Sequence, residues 1–290
     1  MSAGASPTLL SVSPRYCLNT STIRGFGLSL LEEIDITAKA GYQAIEPWIE
    51  GIDKYLAEGG TLHDLKSVIE DRGLFVASAI GFFEWIVEDE TRRAAAFEEA
   101  RRNMDLMNRL GAGLIAAPPM GAVEAKRLDL LQIAVRYREL CELGATMGVS
   151  PMVEVWGFSQ TLNRLGEAAL VAIESAHPRA CILADVYHLY KGGSDYHGLS
   201  LLHHSAFPLL HINDYPAGMP KATITDADRV YPGDGIAPLT DILQTLDAIG
   251  FDGILSLELF NETYWKTDPL SVATIGLQKT KAAVQEAFGK

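Results

Sequence analysis

A chain of 290 residues, 48% hydrophobic and 21% charged, is long enough for one large domain and has the make-up of an ordinary globular protein. Its formal net charge of −13 supplies no basic patch, which argues against nucleic acid and an anionic membrane surface as partners. The three cysteines, Cys17, Cys141 and Cys181, form no CxxC, which fits a reducing, cytoplasmic setting without a disulfide framework.

The first residues, MSAGASPTLLSVSP, hold no long apolar stretch. Residues 1–14 are therefore expected to be a flexible N-terminal extension rather than a signal peptide or membrane span. From there on, eight short apolar runs read as strands: Arg15–Asn19, then QAIEPW (43–48), LFVASAI (74–80), GLIAAPP (113–119), PMVEVW (151–156), CILAD (181–185), PLLHIND (208–214) and ILSLELF (254–260). They are continuous rather than alternating, as parallel strands covered on both faces should be. Cys181 falls inside one of them and is expected in the core.

Helical patterns lie between the strands. Residues 28–41 carry apolar positions at helical spacing and end on Gly41. Residues 61–73 open on Thr61, an N-cap with Asp64 three positions on, and end on Gly73. Residues 91–111, 126–148 and 239–250 repeat the phrase, ending on Gly111, Gly148 and Gly250. Glycine just past a helix accommodates the left-handed turn that leads into the next strand. This unbroken βα cadence predicts an α/β fold, a (β/α)8 barrel, as one domain over residues 15–290. An open doubly wound sheet shares the local grammar. Against it, no GxGxxG follows the first strand, and candidate functional residues end many strands rather than clustering at one switch point.

Those residues are Glu154 in PMVEVW, Asp185 in CILADVYH, His211 in PLLHIND and Glu258 in ILSLELF. Each closes an apolar strand, and the carboxyl ends of barrel strands converge on one mouth. Taken singly, Glu154 could be a structural salt bridge and His211 a satisfied core histidine. Jointly, four unrelated buried polar groups are harder to explain than one shared divalent cation, because an unpaired buried carboxylate is costly. Three carboxylates, one imidazole and a divalent ion leave one negative charge over. Oxygen-rich ligation suits Mn, the expected ion, or Mg, while the imidazole also admits Co, Fe or Zn. Closed Cys/His sets typical of structural zinc are absent, so the site is expected to be catalytic. Glu154 and Glu258, on strands five and eight, face each other across the mouth and form a natural acid/base pair for removing and returning a proton next to a ketone.

With HINDYPAG, TDADRVYPGDGIAPL and ILSLELFNETYWK, and weaker echoes in LNTST (18–22), IEPW, AIGFF (79–83) and DVYHLY (185–190), the chain resembles the sugar phosphate isomerase/epimerase family, the xylose-isomerase-like TIM barrels. Its C-terminal third looks most like the bacterial 2-keto-myo-inositol (inosose) isomerases. The resemblance covers nearly everything from about residue 15 onward. It implies that Glu154, Asp185, His211 and Glu258 are the metal ligands, with Glu154 and Glu258 doubling as catalytic acid and base. It implies that His188 and Arg229 contact substrate hydroxyls or a developing enolate oxygen. Arg229 has a physical case as well, since a fixed guanidinium stabilises an oxyanion; an ion pair with Asp226 or Asp228 is the alternative. Glu46 is a candidate for binding a substrate hydroxyl or for holding a neighbouring side chain. Trp48, Phe82, Phe83, Trp156 and Tyr264 are candidates for the wall of the mouth, with Trp156 shaping the substrate pocket. The long loop 213–235 is expected to deliver Arg229.

The expected activity is that of a metal-dependent sugar or polyol isomerase or epimerase working through an enediolate, in carbohydrate or inositol catabolism. A keto-polyol dehydratase on the same site is the nearest rival. An endonuclease-type phosphodiesterase would want more histidines and a basic groove, and a non-catalytic polyol binder would not need all four ligands. The expected partner is a small sugar or polyol, and association into a homo-oligomer is compatible with the barrel.

Overall fold

In a computed structural model that describes residues 14–288, strands and helices alternate along the chain. The first half runs β1 (Arg15–Asn19), α1 (Leu30–Ala40), β2 (Ala44–Glu46), α2 (Ile49–Ala57), α3 (Leu62–Asp71), β3 (Phe75–Val76), α4 (Glu90–Leu110) and β4 (Leu114–Ala117). The second half runs α5 (Leu130–Ala145), β5 (Ser150–Glu154), α6 (Leu165–Glu174), β6 (Cys181–Asp185), α7 (Val186–Gly192), β7 (Leu209–Ile212), α8 (Leu239–Ala248), β8 (Ile254–Leu257) and α9 (Pro269–Phe288). Apart from Pro14, the expected N-terminal extension lies outside the described residues.

The strands form one parallel sheet in the order β3-β2-β1-β8-β7-β6-β5-β4. Pairing of β1 with β8 curls it into a barrel. The ring has a seam between β3 and β4, where no ladder forms. Among the described residues one backbone hydrogen bond crosses it, from Ala116 N–H to Ala79 O at 3.0 Å. This is why the expected strand over 74–80 shortens to Phe75–Val76: the chain stays extended but lacks a partner on one side. Pro47 ends β2 early for a related reason, since it has no N–H to give a neighbour.

The helix boundaries follow the sequence signals. Ser29 and Glu32 form a reciprocal capping box on α1, and the Thr61 hydroxyl accepts from Asp64 N at the start of α3. Gly41, Gly73, Gly111, Gly148 and Gly250 all have φ between 73° and 92°, the left-handed conformation a non-glycine residue resists.

Strand side chains alternate between two cores. Cys17, Ala44, Met152, Cys181, Leu183, Leu209 and Ile254 fill the barrel interior. Their neighbours Ile45, Val153, Ile182, Ala184, Leu210, Ile212 and Leu255 face outward and pack under the helices. Continuing the inward parity to the carboxyl ends brings up Asn19, Glu46, Glu154, Asp185, His211 and Glu258. The polar layer is thus the top of the interior core, carried by the same period of two. The three cysteines are buried and free. No helix among the described residues is long and apolar enough to cross a membrane.

Candidate metal centre and active site

Asp185 ends β6 and is also the N-cap of α7. Its Oδ1 accepts from His188 N–H at 2.7 Å, which fixes the carboxylate and leaves Oδ2 aimed into the barrel. In register beside it, β7 presents His211. Glu258 follows directly on β8. One donor atom from each of Asp185, His211 and Glu258 lies within 4.8 Å of the others, and all three residues are buried. His211 Nδ1 sits 3.2 Å from Glu258 Oε2 and 3.8 Å from Asp185 Oδ2. It is nevertheless not aligned for a hydrogen bond with either and remains unpartnered. A buried nitrogen without a partner is costly, and here it faces two carboxylate oxygens. Burial disfavours a charge on His211, yet Glu258 and Glu46 raise its pKa well above the usual imidazole value. The field that draws a proton to this point would equally hold a divalent cation. The donor set, two carboxylates and an imidazole, fits such an ion.

Of the four expected ligands the structure therefore gathers three. Glu154, the last residue of β5, lies outside that group but lines the same cavity. Burial pushes its carboxyl up to about 8, with His211 pulling down and Glu258 and Asp185 adding to the rise. Burial, reinforced by the two neighbouring carboxylates, thus favours the protonated form of Glu154. Glu258 is shifted the other way. Burial would raise it, but His211 and Arg229 hold it well below the ordinary carboxylate range.

Arg229 arrives on the loop after β7. That loop is pinned by paired backbone hydrogen bonds between Asp214 and Val230 at 3.0 and 2.9 Å. The Asp214 carboxylate also accepts from the amides of Gly233, Gly235 and Ala237. Gly235 is required there, because a Cβ would collide with Tyr215 O and the Asp214 carboxylate. Asn261 Nδ2 donates to the Arg229 carbonyl at 2.9 Å. The guanidinium is buried and donates from Nη1 to Asp185 Oδ2 at 3.0 Å and Glu258 Oε2 at 2.7 Å. Its Nη2 reaches His188 Nε2 at 3.0 Å and also pairs with Asp226. The ion pair with Asp226 and the place at the site thus coexist. Burial works against the charge, but Asp185, Asp226 and Glu258 more than offset this and raise the Arg229 pKa. His188 is shifted down by burial and by Arg229, so its ring is neutral.

The cavity above the centre encloses about 160 Å³, room for a small molecule. Its polar wall is Glu154, His188, Asp226, Arg229 and Glu258, and its apolar wall includes Trp48, Phe82, Trp156, Phe158 and Phe260. Trp48, Phe82 and Trp156 hold the wall positions expected of them. Phe83 instead belongs to the core under the helices, and Tyr264 stacks on Tyr231 at 4.1 Å. Glu46 is fully buried and off the cavity wall; its Oε2 bonds His211 Nε2 at 2.9 Å. Sequence reasoning missed Asn19, Ser256 and Asn213, which hydrogen-bond the acidic layer. Asn19 and Ser256 were findable, because each shares the inward parity of its strand, two positions from Cys17 and Glu258. Phe158 and Phe260 carried no such signal.

A profile of the family described as xylose isomerase-like TIM barrel matches residues 34–283. The inosose isomerase of Halalkalibacterium halodurans is 28% identical over 283 residues, covering 94% of this chain and 98% of its own length. That of Bacillus velezensis is 26% identical over 286 residues, covering 95% and 99%. The solved structure of IOLI protein with a bound zinc atom matches with a TM-score of 0.88 at 22% identity, over 95% of this chain and 100% of that one. At that identity the likeness concerns the fold.

Proposed function

The chain belongs to the xylose isomerase-like TIM-barrel family, and we propose that it is a divalent-metal-dependent isomerase or epimerase of a keto-polyol or ketose, with an inosose as the favoured substrate class. The observation that carries this reading is the unpartnered, buried Nδ1 of His211 facing Asp185 and Glu258 at the floor of a small-molecule cavity. Two curated relatives that match 94–95% of the chain are named inosose isomerases, which favours a cyclic keto-polyol. Asp185, His211 and Glu258 would hold the ion, for which Mn is the proposed identity. When bound, such an ion supplies Lewis-acid polarisation of a substrate ketone.

The two glutamates then divide the proton work. Their environments push their pKa values apart, the pattern expected of an acid and a base. Glu258, held ionised, takes the proton next to the ketone and leaves an enediolate. Glu154, kept protonated, returns a proton to the neighbouring carbon or the opposite face. Arg229 stabilises the developing oxygen charge, and the neutral His188 binds a substrate hydroxyl. The aromatic wall, Trp156 included, covers the C–H face of the ring and excludes water. A keto-polyol dehydratase is the second reading, favoured by the proton on Glu154, since a leaving hydroxyl needs a donor.

The test is NMR of Mn-reconstituted protein with inososes and ketoses in D2O. Deuterium entry next to the ketone with a new isomer is expected. Loss of water would move the assignment to the dehydratase, and no reaction of any ketose or inosose would end the isomerase reading.

A further inference from the structure

We propose that Glu46 is a positioning residue for the metal centre, one that fixes which nitrogen of His211 carries the proton. The proposal rests on the metal-site reading above and deepens it. Glu46 lies at the end of β2, across the barrel from β7, and no part of it lines the cavity. It cannot serve there as a substrate contact. Its Oε2 instead collects three hydrogen bonds: from His211 Nε2 at 2.9 Å, Asn19 Nδ2 at 3.0 Å and the Ser256 hydroxyl at 2.7 Å. Both His211 and Glu46 are fully buried.

A carboxylate oxygen has only acceptor capacity, so His211 Nε2 must carry hydrogen to meet it. That leaves the Nδ1 lone pair for the opposite side of the ring. Nδ1 is the atom that faces Asp185 and Glu258 and has no hydrogen-bond partner. Carboxylate on one nitrogen and cation on the other is the arrangement that orients a histidine ligand and raises its basicity. Asn19 and Ser256 stop the carboxylate from rotating away. Asn19 also spans to Glu258 Oε1 at 3.1 Å, so the same amide ties the positioning residue to a ligand. The other oxygen, Glu46 Oε1, is buried and unpartnered. The group is thus placed for Oε2 alone, a cost that pure packing would not impose.

The experiment measures Mn binding by calorimetry on the purified full chain and its Glu46→Gln and Glu46→Ala variants. It is paired with long-range 1H–15N spectra of the Zn-loaded proteins. Wild type should show His211 protonated at Nε2 and coordinated through Nδ1. Both variants should bind Mn about 10–100-fold more weakly, with the Nε2 proton resonance shifted or lost. Variants that bind as tightly as wild type with an unchanged resonance would overturn the proposal. So would wild-type coordination through Nε2, a result that needs no variant to fold. Wild type that binds no divalent ion would end the metal reading and this proposal together. Wild type that binds the ion but isomerises nothing would end the isomerase reading alone.

Discussion

Arg229 Nη1 donates to Glu258 Oε2 at 2.7 Å, with both side chains buried. The same nitrogen also holds Asp185 Oδ2 at 3.0 Å. One guanidinium therefore balances two of the carboxylates that would bind a cation. Removing one partner of a buried ion pair typically costs about 3–5 kcal/mol, because the other charge is left uncompensated. Arg229→Ala should lower stability by roughly that amount in the presence of a chelator. With saturating Mn the loss should shrink, since the cation supplies the missing charge. Thermal unfolding with and without metal reads both numbers.

The two glutamates should separate metal binding from proton transfer. Glu258→Gln removes a member of the three-residue group and should lose both metal and turnover. Glu154→Gln should keep metal to within about tenfold but lose about 10²–10⁴-fold in kcat, the usual range for a positioned acid or base. Metal content by atomic spectroscopy alongside turnover of the true substrate checks the split. Loss of metal from Glu154→Gln as complete as that from Glu258→Gln would place Glu154 in the ligand set with the other three.

The pH profile should carry the signature of Glu154. Burial lifts its carboxyl to about 8, and an acid must be protonated to act. Activity should therefore fall as pH rises through that value. A bound cation acts in the same sense as His211 and moves the limb to lower pH. Residual turnover in Glu154→Gln should have lost the limb altogether, which a kcat/KM profile would show.

A second carboxyl, far from the chemistry, should set part of the alkaline stability. Burial raises Glu33 to about 7, against the pull of Arg24 and Thr20. Its folded pKa thus lies above the unfolded value, so its contribution is fully present below the unfolded pKa and is lost as pH rises through about 7. Glu33→Gln should stabilise the protein at pH 8 by about 1–2 kcal/mol, or a few degrees in Tm, and leave it nearly unchanged near pH 4. A calorimetric scan at the two pH values decides it.

The strands and their closing residues were legible because the period of two and the helix-ending glycines are local signals. CILAD reads as a strand, and β6 spans those same residues. The buried donor group of Asp185, His211 and Glu258 was legible, each being the polar end of an apolar run. What sequence could not show is how burial and neighbouring groups make strand-end carboxylates differ. Glu154 and Glu46 end their strands just as the other three do. The first lines the cavity with its carboxyl raised chiefly by burial, and three donors hold the second against the histidine. Such sorting depends on distances across the barrel, between residues far apart in the chain. The short β3 was hidden for the same reason, since LFVASAI is apolar enough for a longer strand but meets no partner across the seam.

That seam divides the cavity wall by how its strands are paired. Asp185, His211 and Glu258 ride on β6, β7 and β8, which are laced edge to edge by continuous ladders. Ile80 and Phe82, by contrast, follow β3 beside the seam, which among the described residues one backbone hydrogen bond spans, Ala116 N–H to Ala79 O. The laddered side carries the buried donor group, and the seam side carries part of the aromatic wall. Substitutions along the seam would therefore reshape this wall while leaving the ladders that carry Asp185, His211 and Glu258 as they are.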